Sequence, residues 1–157
     1  MRTMEDNQVH EKFYHEIFET LREEPYANHL GIELKSLGKG SAAATLTVQE
    51  HMLNTHGTVH GAVIFAIADY VFAAASNSYG KTSVGITTTM NFMAPAQKGE
   101  QLKAEAKEEK RTHKLAWYRI HVTSGESLVA VMDATVYRKN EYFVPIEEMK
   151  DGAGLKK

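Results

Sequence analysis

The chain has 157 residues, 43% of them hydrophobic and 24% charged, and a formal net charge of -2 at pH 7. These values are typical of one globular domain with its own core, and the lack of a long block of like charge argues against a nucleic-acid partner. Cysteine is absent, so disulfides and thiolate chemistry are excluded, and the chain shows no signal-peptide pattern or membrane-length apolar run. We therefore expect a cytoplasmic protein with no membrane partner.

The first predicted element is an amphipathic helix at residues 8–24. Four apolar side chains recur there at every fourth position, between charged residues: Val9, Phe13, Ile17 and Leu21. Pro25 is expected to end this helix, because proline cannot donate the backbone hydrogen bond that a helix interior needs.

The rest of the chain alternates between strand patterns and one long helix. Two short strands are predicted at 30–37 and 41–48, with a glycine-containing bend between them. A helix is predicted at 61–78; its apolar residues occupy every side, so it should be buried all round. Four further strands follow, at 83–92, 101–110, 114–123 and 127–138. Their short connections predict an antiparallel meander curved around the helix, an α+β arrangement in which a partner subunit covers the remaining helix face.

Asp69 is a carboxylate in the middle of this apolar helix. An unpaired charge in an apolar interior costs several kcal/mol, so two interpretations are open. Either internal donors satisfy Asp69 and its role is structural, or it faces a cleft and performs acid–base or nucleophilic chemistry. The residues one turn away are Phe or Ala, which excludes a local ion pair and favours the functional interpretation.

The segment before the helix offers complementary chemistry. Asn54, His56, Gly57, His60 and Gly61 lie there. The first backbone N–H groups of a helix have no intrahelical acceptor, the helix dipole favours negative charge there, and glycine permits close approach of a ligand. This is the arrangement of an oxyanion hole for acyl transfer.

The separation of these groups predicts a shared site. Asp69 lies eight residues beyond Gly61, ~12 Å along one helix, whereas a reacting carbonyl needs both its attacker and its oxyanion donors about 3 Å away. Two antiparallel copies of the helix would meet this condition, with Asp69 of one protomer facing Gly61 of the other.

Three segments carry a family resemblance: NTHGTVHGAVIFAIADYVFAAASNSYG, MNFMAPAQKGEQLKAEA and VAVMDATVYR. They resemble the hotdog-fold acyl-CoA thioesterases, in particular the phenylacetate-pathway (PaaI-type) branch. The resemblance implies a hotdog fold, a curved antiparallel sheet wrapped around one central buried helix, here with an extra N-terminal amphipathic helix. We assign residues 1–27 to the N-terminal helix, 28–139 to the thioesterase domain and 140–157 to a C-terminal tail.

The resemblance also implies a function and residue roles. The reaction is hydrolysis of acyl-CoA thioesters to free acid and coenzyme A, with Asp69 as general base or nucleophile and the Gly61 N–H as oxyanion donor. Asn54 would hold the carbonyl or the water, and His60 would position the helix start. The family's sites lie between subunits, so a homo-oligomer, a dimer of dimers, is expected.

Two departures from the family pattern concern substrate-binding groups. Ala62 replaces the second glycine of a common His-Gly-Gly sequence, and it keeps that position small. Some members have a serine on the next strand that orients water, and no serine stands there in this chain. Thr87 or Thr89 would take its place if the hydroxyl points inward.

Two further interpretations stay open. The charged run at 107–114 is either a solvated strand end or, through Arg111 and Lys114, a contact for the phosphates of coenzyme A. An alternative function is a non-catalytic acyl-CoA-binding hotdog module, although such a module needs no carboxylate in the helix. Three histidines precede the helix without the acidic residue of a zincin motif, so we expect no metal site. We also expect no cofactor; coenzyme A enters only as part of the substrate.

Overall fold

The N-terminal segment forms three short helices rather than one. The computed structural model describes residues 5–146, and in it helices α1 (Asp6–Lys12), α2 (Tyr14–Arg22) and α3 (Pro25–Leu30) come first. The predicted helix at 8–24 breaks at Phe13, where φ is -109° and ψ is 23°. Pro25 begins α3 instead of only ending the preceding helix, because the first helical position needs no N–H donor.

The apolar face of these N-terminal helices is nevertheless buried, as its periodicity predicted. Val9, Phe13 and Ile17 all belong to the main hydrophobic core. The N-terminal helices are therefore packed onto the rest of the chain, and the hydroxyl of Tyr70 in the central helix donates a hydrogen bond to the Leu21 carbonyl at 2.9 Å. This contact covers part of the helix face that the sequence assigned to a partner subunit.

One antiparallel sheet of six strands and one long helix make up the remainder. In chain order the elements are β1 (Glu33–Gly38), β2 (Ser41–Thr47), α4 (Gly61–Asn77), β3 (Lys81–Phe92), β4 (Gln101–Arg111), β5 (Leu115–Ser124) and β6 (Ser127–Tyr142). A one-turn 3-10 helix lies at Glu50–Met52. The α+β architecture, with α4 packed against the strands of a single sheet, is as predicted.

The strand order differs from the predicted meander. The order across the sheet is β1-β2-β4-β5-β6-β3, so the meander holds for β4, β5 and β6 and is wrong for β3. Both edges of β4 are occupied, by β2 and by β5. The free edge of β6 is left for β3, and the eight-residue connection 93–100 crosses back to β4.

Helix α4 was predicted to be buried on every side, but one side of it is exposed in the protomer. Its residues facing the sheet and the N-terminal helices are buried, but a stripe formed by Ala62, Phe65 and Asp69 is exposed in the protomer. These positions recur at three- and four-residue spacing, so they lie along one face of the helix. Asp69 therefore lies on a surface that the protomer itself does not cover.

The C-terminal strand is longer than the sequence indicated. β6 continues to Tyr142, three residues into the segment predicted as a tail, and Val144 after it belongs to the core. The rest of the predicted tail, residues 147–157, lies outside the described residues. Among the helices described, none is long and apolar enough to cross a membrane.

Candidate active site

Asp69 lies on the exposed stripe of α4 and is not tied to internal donors. Within residues 5–146 its carboxylate has neither a hydrogen-bond partner nor an ion-pair partner. Although the side chain reaches solvent, the neighbouring groups displace part of its water, and this burial raises the pKa of Asp69 above the ordinary value of an aspartate. A carboxylate that is accessible, unpaired and more basic than usual is suited to accept a proton or to attack a carbonyl.

Glu24 is a second carboxylate close to Asp69, and the sequence analysis missed it. It stands immediately before α3 and is half-buried, and burial followed by the charge of Asp69 raises the pKa of Glu24. Burial and then the charge of Glu24 raise the pKa of Tyr70, the residue after Asp69, to about 12. The sequence carried no signal for this proximity, because it depends on how the N-terminal helices pack on α4.

His60 organises the start of α4. Its ring Nδ1 accepts a hydrogen bond from the Ala62 backbone N–H at 2.9 Å, and its own backbone N–H donates to the Met52 carbonyl at 2.7 Å. Nδ1 is therefore an acceptor in this geometry, and the ring caps the helix. This is a positioning function, of the kind that the resemblance implied.

The Gly61 backbone N–H is the candidate oxyanion donor. Gly61 is the first residue of α4, and its N–H has no acceptor among the residues that the structure describes. A Cβ at this position would lie 3.3 Å from Cε1 of the Phe92 ring, so glycine is what permits this ring to pack so closely. The Gly61 N–H is thus left without an acceptor in the described residues, as a donor for an oxyanion must be.

Asn54 shapes the loop that leads to the helix. Its Oδ1 accepts hydrogen bonds from the backbone N–H groups of His56, at 2.9 Å, and Thr58, at 3.2 Å. Its Nδ2 donates to the Thr58 hydroxyl at 2.9 Å. One amide hydrogen of Asn54 is left for a ligand, because an amide nitrogen carries two. Asn54 therefore orders the loop before α4, His60 and Gly61 form the start of the helix, and Asp69 lies two turns further along it.

Exposed apolar side chains lie near the start of α4, with the Phe92 ring next to Gly61. Phe92 and Met93 are 57% and 54% exposed, and Phe65 on α4 is also exposed. Large exposed apolar groups next to an unpartnered donor provide a surface for the apolar part of a ligand or for another protein chain.

Thr87 and Thr89 do not have the inward orientation that their predicted role required. They pair with Thr135 and Asp133 of β6, which alternate with the buried residues on that strand, so both threonines lie on the outer face of the sheet. A bulge between Gly85 and Thr87 reverses the alternation of β3. Thr88, opposite the buried Ala134, is the threonine on the helix side.

Arg111 is not free to bind a phosphate in the way the sequence suggested. Its Nε donates to Asp6 at 3.0 Å and its Nη1 to Glu108 at 2.6 Å, and the guanidinium stacks 4.0 Å from the centre of the Tyr79 ring. Lys114 is exposed in the turn between β4 and β5. Both lie near the C-terminal end of α4, ~24 Å from Gly61 of the same protomer along the helix axis.

The histidines before α4 do not form a metal site in the described part of the chain. No group of three His, Asp or Glu side chains within residues 5–146 is arranged to hold a metal ion. His56 and His60 contribute backbone and capping interactions instead. The absence of metal and cofactor in the reaction stays a prediction.

Comparison with known proteins identifies the family. A family model described as "Thioesterase superfamily" matches residues 56–138, more than half of the chain. A protein from Archaeoglobus fulgidus is 39% identical over 117 residues, which cover 74% of this chain and 76% of that protein. The acyl-coenzyme A thioesterase PaaI of Escherichia coli is 36% identical over 98 residues, which cover 62% of this chain and 70% of the relative.

The fold agrees with this assignment. The solved structure of the E. coli PaaI protein from the phenylacetic acid degradation operon superposes with a TM-score of 0.79 at 29% identity, covering 88% of this chain and 99% of that one. The resemblance to the PaaI branch and the hotdog fold, both predicted from the sequence, are confirmed. This chain belongs to the thioesterase superfamily, and it is a hotdog-fold thioesterase.

Proposed function

We propose that the protein hydrolyses acyl-CoA thioesters to a free acid and coenzyme A, with Asp69 as the reacting carboxylate. The observation on which this mainly rests is that Asp69 is accessible, without a partner in the described residues, and more basic than usual. The acyl-CoA substrate is supported by the relative in E. coli, whose name states that activity.

The chemistry follows from the groups at hand. Water adds to the thioester carbonyl carbon while Asp69 accepts the water's proton, and the carbonyl oxygen becomes an oxyanion next to the Gly61 N–H. The oxyanion then collapses, the carbon–sulfur bond breaks and the thiolate leaves; a thiol of pKa about 8.5 needs no strong acid to assist it. In the alternative route Asp69 attacks the carbonyl itself and water then hydrolyses the resulting anhydride. Both routes use the same residues.

The active site is proposed to form between two protomers. Within one α4, Asp69 and Gly61 are ~12 Å apart along the axis, too far to act on one carbonyl. β3 offers a contact for a second copy: it is an edge strand of twelve residues, paired on one side with β6, and its Ile86 is 55% exposed. A two-fold axis that pairs two β3 edges would set two α4 helices antiparallel, with each Asp69 toward the other Gly61.

A long, exposed edge strand with apolar side chains is unfavourable in a monomer, which supports the dimer. The pairing of dimers into tetramers stays a prediction, as does the cytoplasmic location. In this arrangement the remaining Asn54 amide hydrogen and the His60-capped helix start would belong to the protomer that supplies the oxyanion donor.

Steady-state hydrolysis of short, medium, long and aryl acyl-CoAs tests the proposal. We expect Asp69→Asn and Asp69→Ala to abolish turnover for every substrate while leaving the oligomer intact. Asp133→Asn is the matched control, because Asp133 is an exposed carboxylate on the outer face of the sheet, paired with Arg119. Near wild-type hydrolysis by Asp69→Asn would refute the mechanism. Binding of acyl-CoA by the wild type without product release would favour the non-catalytic binding module.

A further inference from the structure

A polar cleft lies at the opposite end of α4 from Gly61. Its volume is ≈ 470 Å³, and the residues around it come from the start of α1, the start of β3, the end of β4 with the turn after it, and the end of β6. Three cations that the thioesterase chemistry does not use line it, Lys81, Arg111 and Arg138, together with the carboxylates of Glu5 and Asp6.

The two arginines are fixed and neutralised by carboxylates. Arg138 is 4% exposed; its Nη2 donates to Asp6 at 2.6 Å and its Nη1 to the Thr112 carbonyl at 2.8 Å. Arg111 shares the same Asp6 oxygen and also donates to Glu108. Two guanidinium groups thus face two carboxylates, and this network has no net charge.

Lys81 is the cation of this cleft without an ion-pair partner in the described residues. It is 6% exposed, and among the described residues its ammonium group has neither a hydrogen-bond acceptor nor a carboxylate within ion-pair distance. The ring of Tyr142 lies 5.9 Å from its Nζ, which is a weak interaction at this distance. Burial and then the charge of Arg138 lower the pKa of Lys81, and the charge of Asp6, which is beyond ion-pair distance, offsets part of this effect.

A mostly buried lysine whose ammonium group has no carboxylate partner is more favourable when a ligand in the cleft supplies negative charge. We propose that this cleft binds a phosphate group, with the Lys81 ammonium as its principal contact and the fixed guanidinium of Arg138 beside it. Phosphate suits the site because it offers several acceptor oxygens to the three donors of an ammonium group. The phosphate comes either from free inorganic phosphate or from the nucleotide portion of coenzyme A; the second source rests on the proposed function.

Binding of inorganic phosphate to the intact protein tests the site. Phosphate is titrated at constant ionic strength, and its dissociation constant is obtained from calorimetry and from the rise of the unfolding temperature, since a ligand of the native state stabilises it by mass action. We expect saturable binding to the wild type and a loss of affinity of ~10-fold or more for Lys81→Met, because a hydrogen bond to a charged group is worth at least that factor.

Lys139→Met is the matched control. Lys139 is exposed, follows Arg138 on β6 and pairs with Glu141, so this variant removes the same charge from the strand next to that of Lys81 without touching the cleft. We expect it to bind phosphate within about twofold of the wild type, since distant surface charges are screened at ordinary ionic strength. Equal phosphate affinity in Lys81→Met and the wild type, or no saturable binding to the wild type, would overturn the proposal. Absence of saturable phosphate binding to the wild type would overturn the proposal even if Lys81→Met does not fold.

The two phosphate sources are separated by competition. If the site takes the 3′-phosphate of the nucleotide, coenzyme A displaces inorganic phosphate and 3′-dephospho-coenzyme A does not. Lys81→Met then raises KM for acyl-CoA substrates but not for the corresponding acyl-3′-dephospho-CoA substrates. If the site takes free phosphate, neither compound competes. Phosphate binding is measured without turnover, so a failure of the thioesterase mechanism and a failure of this site are distinguishable.

Discussion

The carboxylate of Asp6 is predicted to hold the N-terminal helices against the sheet, and Asp6→Asn removes that charge. One oxygen of Asp6 accepts hydrogen bonds from Arg138 at 2.6 Å and from Arg111 at 3.0 Å. A hydrogen bond between charged groups contributes about 1.5–3 kcal/mol, so two give an upper bound of about 3–6 kcal/mol. The Asp6 side chain is 21% exposed and the asparagine oxygen still accepts one bond, so we expect a loss of about 2–4 kcal/mol in the free energy of unfolding.

Urea unfolding at one fixed protomer concentration measures this loss, because the stability of an oligomer depends on concentration. For a chain of this length the unfolding temperature should fall by roughly 4–16 °C, at about 2–4 °C per kcal/mol. Asp133→Asn is the control: its ion pair with Arg119 joins two side chains that are each more than half exposed, and such pairs are worth about 0–1 kcal/mol. If Asp6→Asn and Asp133→Asn lost the same small amount, the Asp6 contacts would not anchor the N-terminal helices.

Two further predictions concern the neighbour of Asp69 and the exposed edge strand. The pKa of Glu24 is raised in the fold, so its ionisation lowers the free energy of unfolding as pH rises from the ordinary carboxyl pKa of about 4 through the raised pKa. Glu24→Gln should therefore resist urea better than the wild type at pH 7. The difference should disappear below pH about 4. The same variant removes a negative charge near Asp69, so the acidic limb of the pH profile of kcat/KM should move to lower pH, and an unchanged limb would show that the two carboxylates do not interact. Ile86→Lys places a charge on the β3 edge and should convert the oligomer to monomers in sedimentation experiments, with loss of turnover, whereas Lys35→Glu on the other edge strand, β1, should change neither. Full turnover by a monomeric Ile86→Lys protein would remove the case for a site between subunits.

Local pattern was sufficient for the helix, for most of the strands and for the candidate carboxylate. The apolar run of α4 and the alternation in β4, β5 and β6 are properties of adjacent residues, so the sequence shows them directly. Asp69 was visible for the same reason, as one charge in an apolar segment. The helix-start group of Asn54, His60 and Gly61 was visible because its members are close in the chain.

The remaining features depend on residues that are far apart in sequence. β3 lies beside β6 because both edges of β4 are taken, which no property of β3 itself reveals. The bulge after Gly85 turns Thr87 and Thr89 outward, and one extra residue is enough to reverse a whole strand. Arg111 donates a hydrogen bond to Asp6, which lies 105 residues earlier. The sequence suggested a cation free to bind phosphate, and it could not reveal so distant a partner.

Subunit complementation tests the central claim, a catalytic site shared by two protomers, most directly. Two inactive variants are co-expressed with different affinity tags: Asp69→Asn, which lacks the reacting carboxylate, and Gly61→Val, whose β-branched side chain meets the Phe92 ring and crowds the oxyanion donor. The purified heterodimer contains one site with both changes and one site with neither, so the account predicts about half of the wild-type turnover per dimer, as two-fold symmetry requires. A heterodimer as inactive as each parent would contradict it, because both residues would then act within a single protomer.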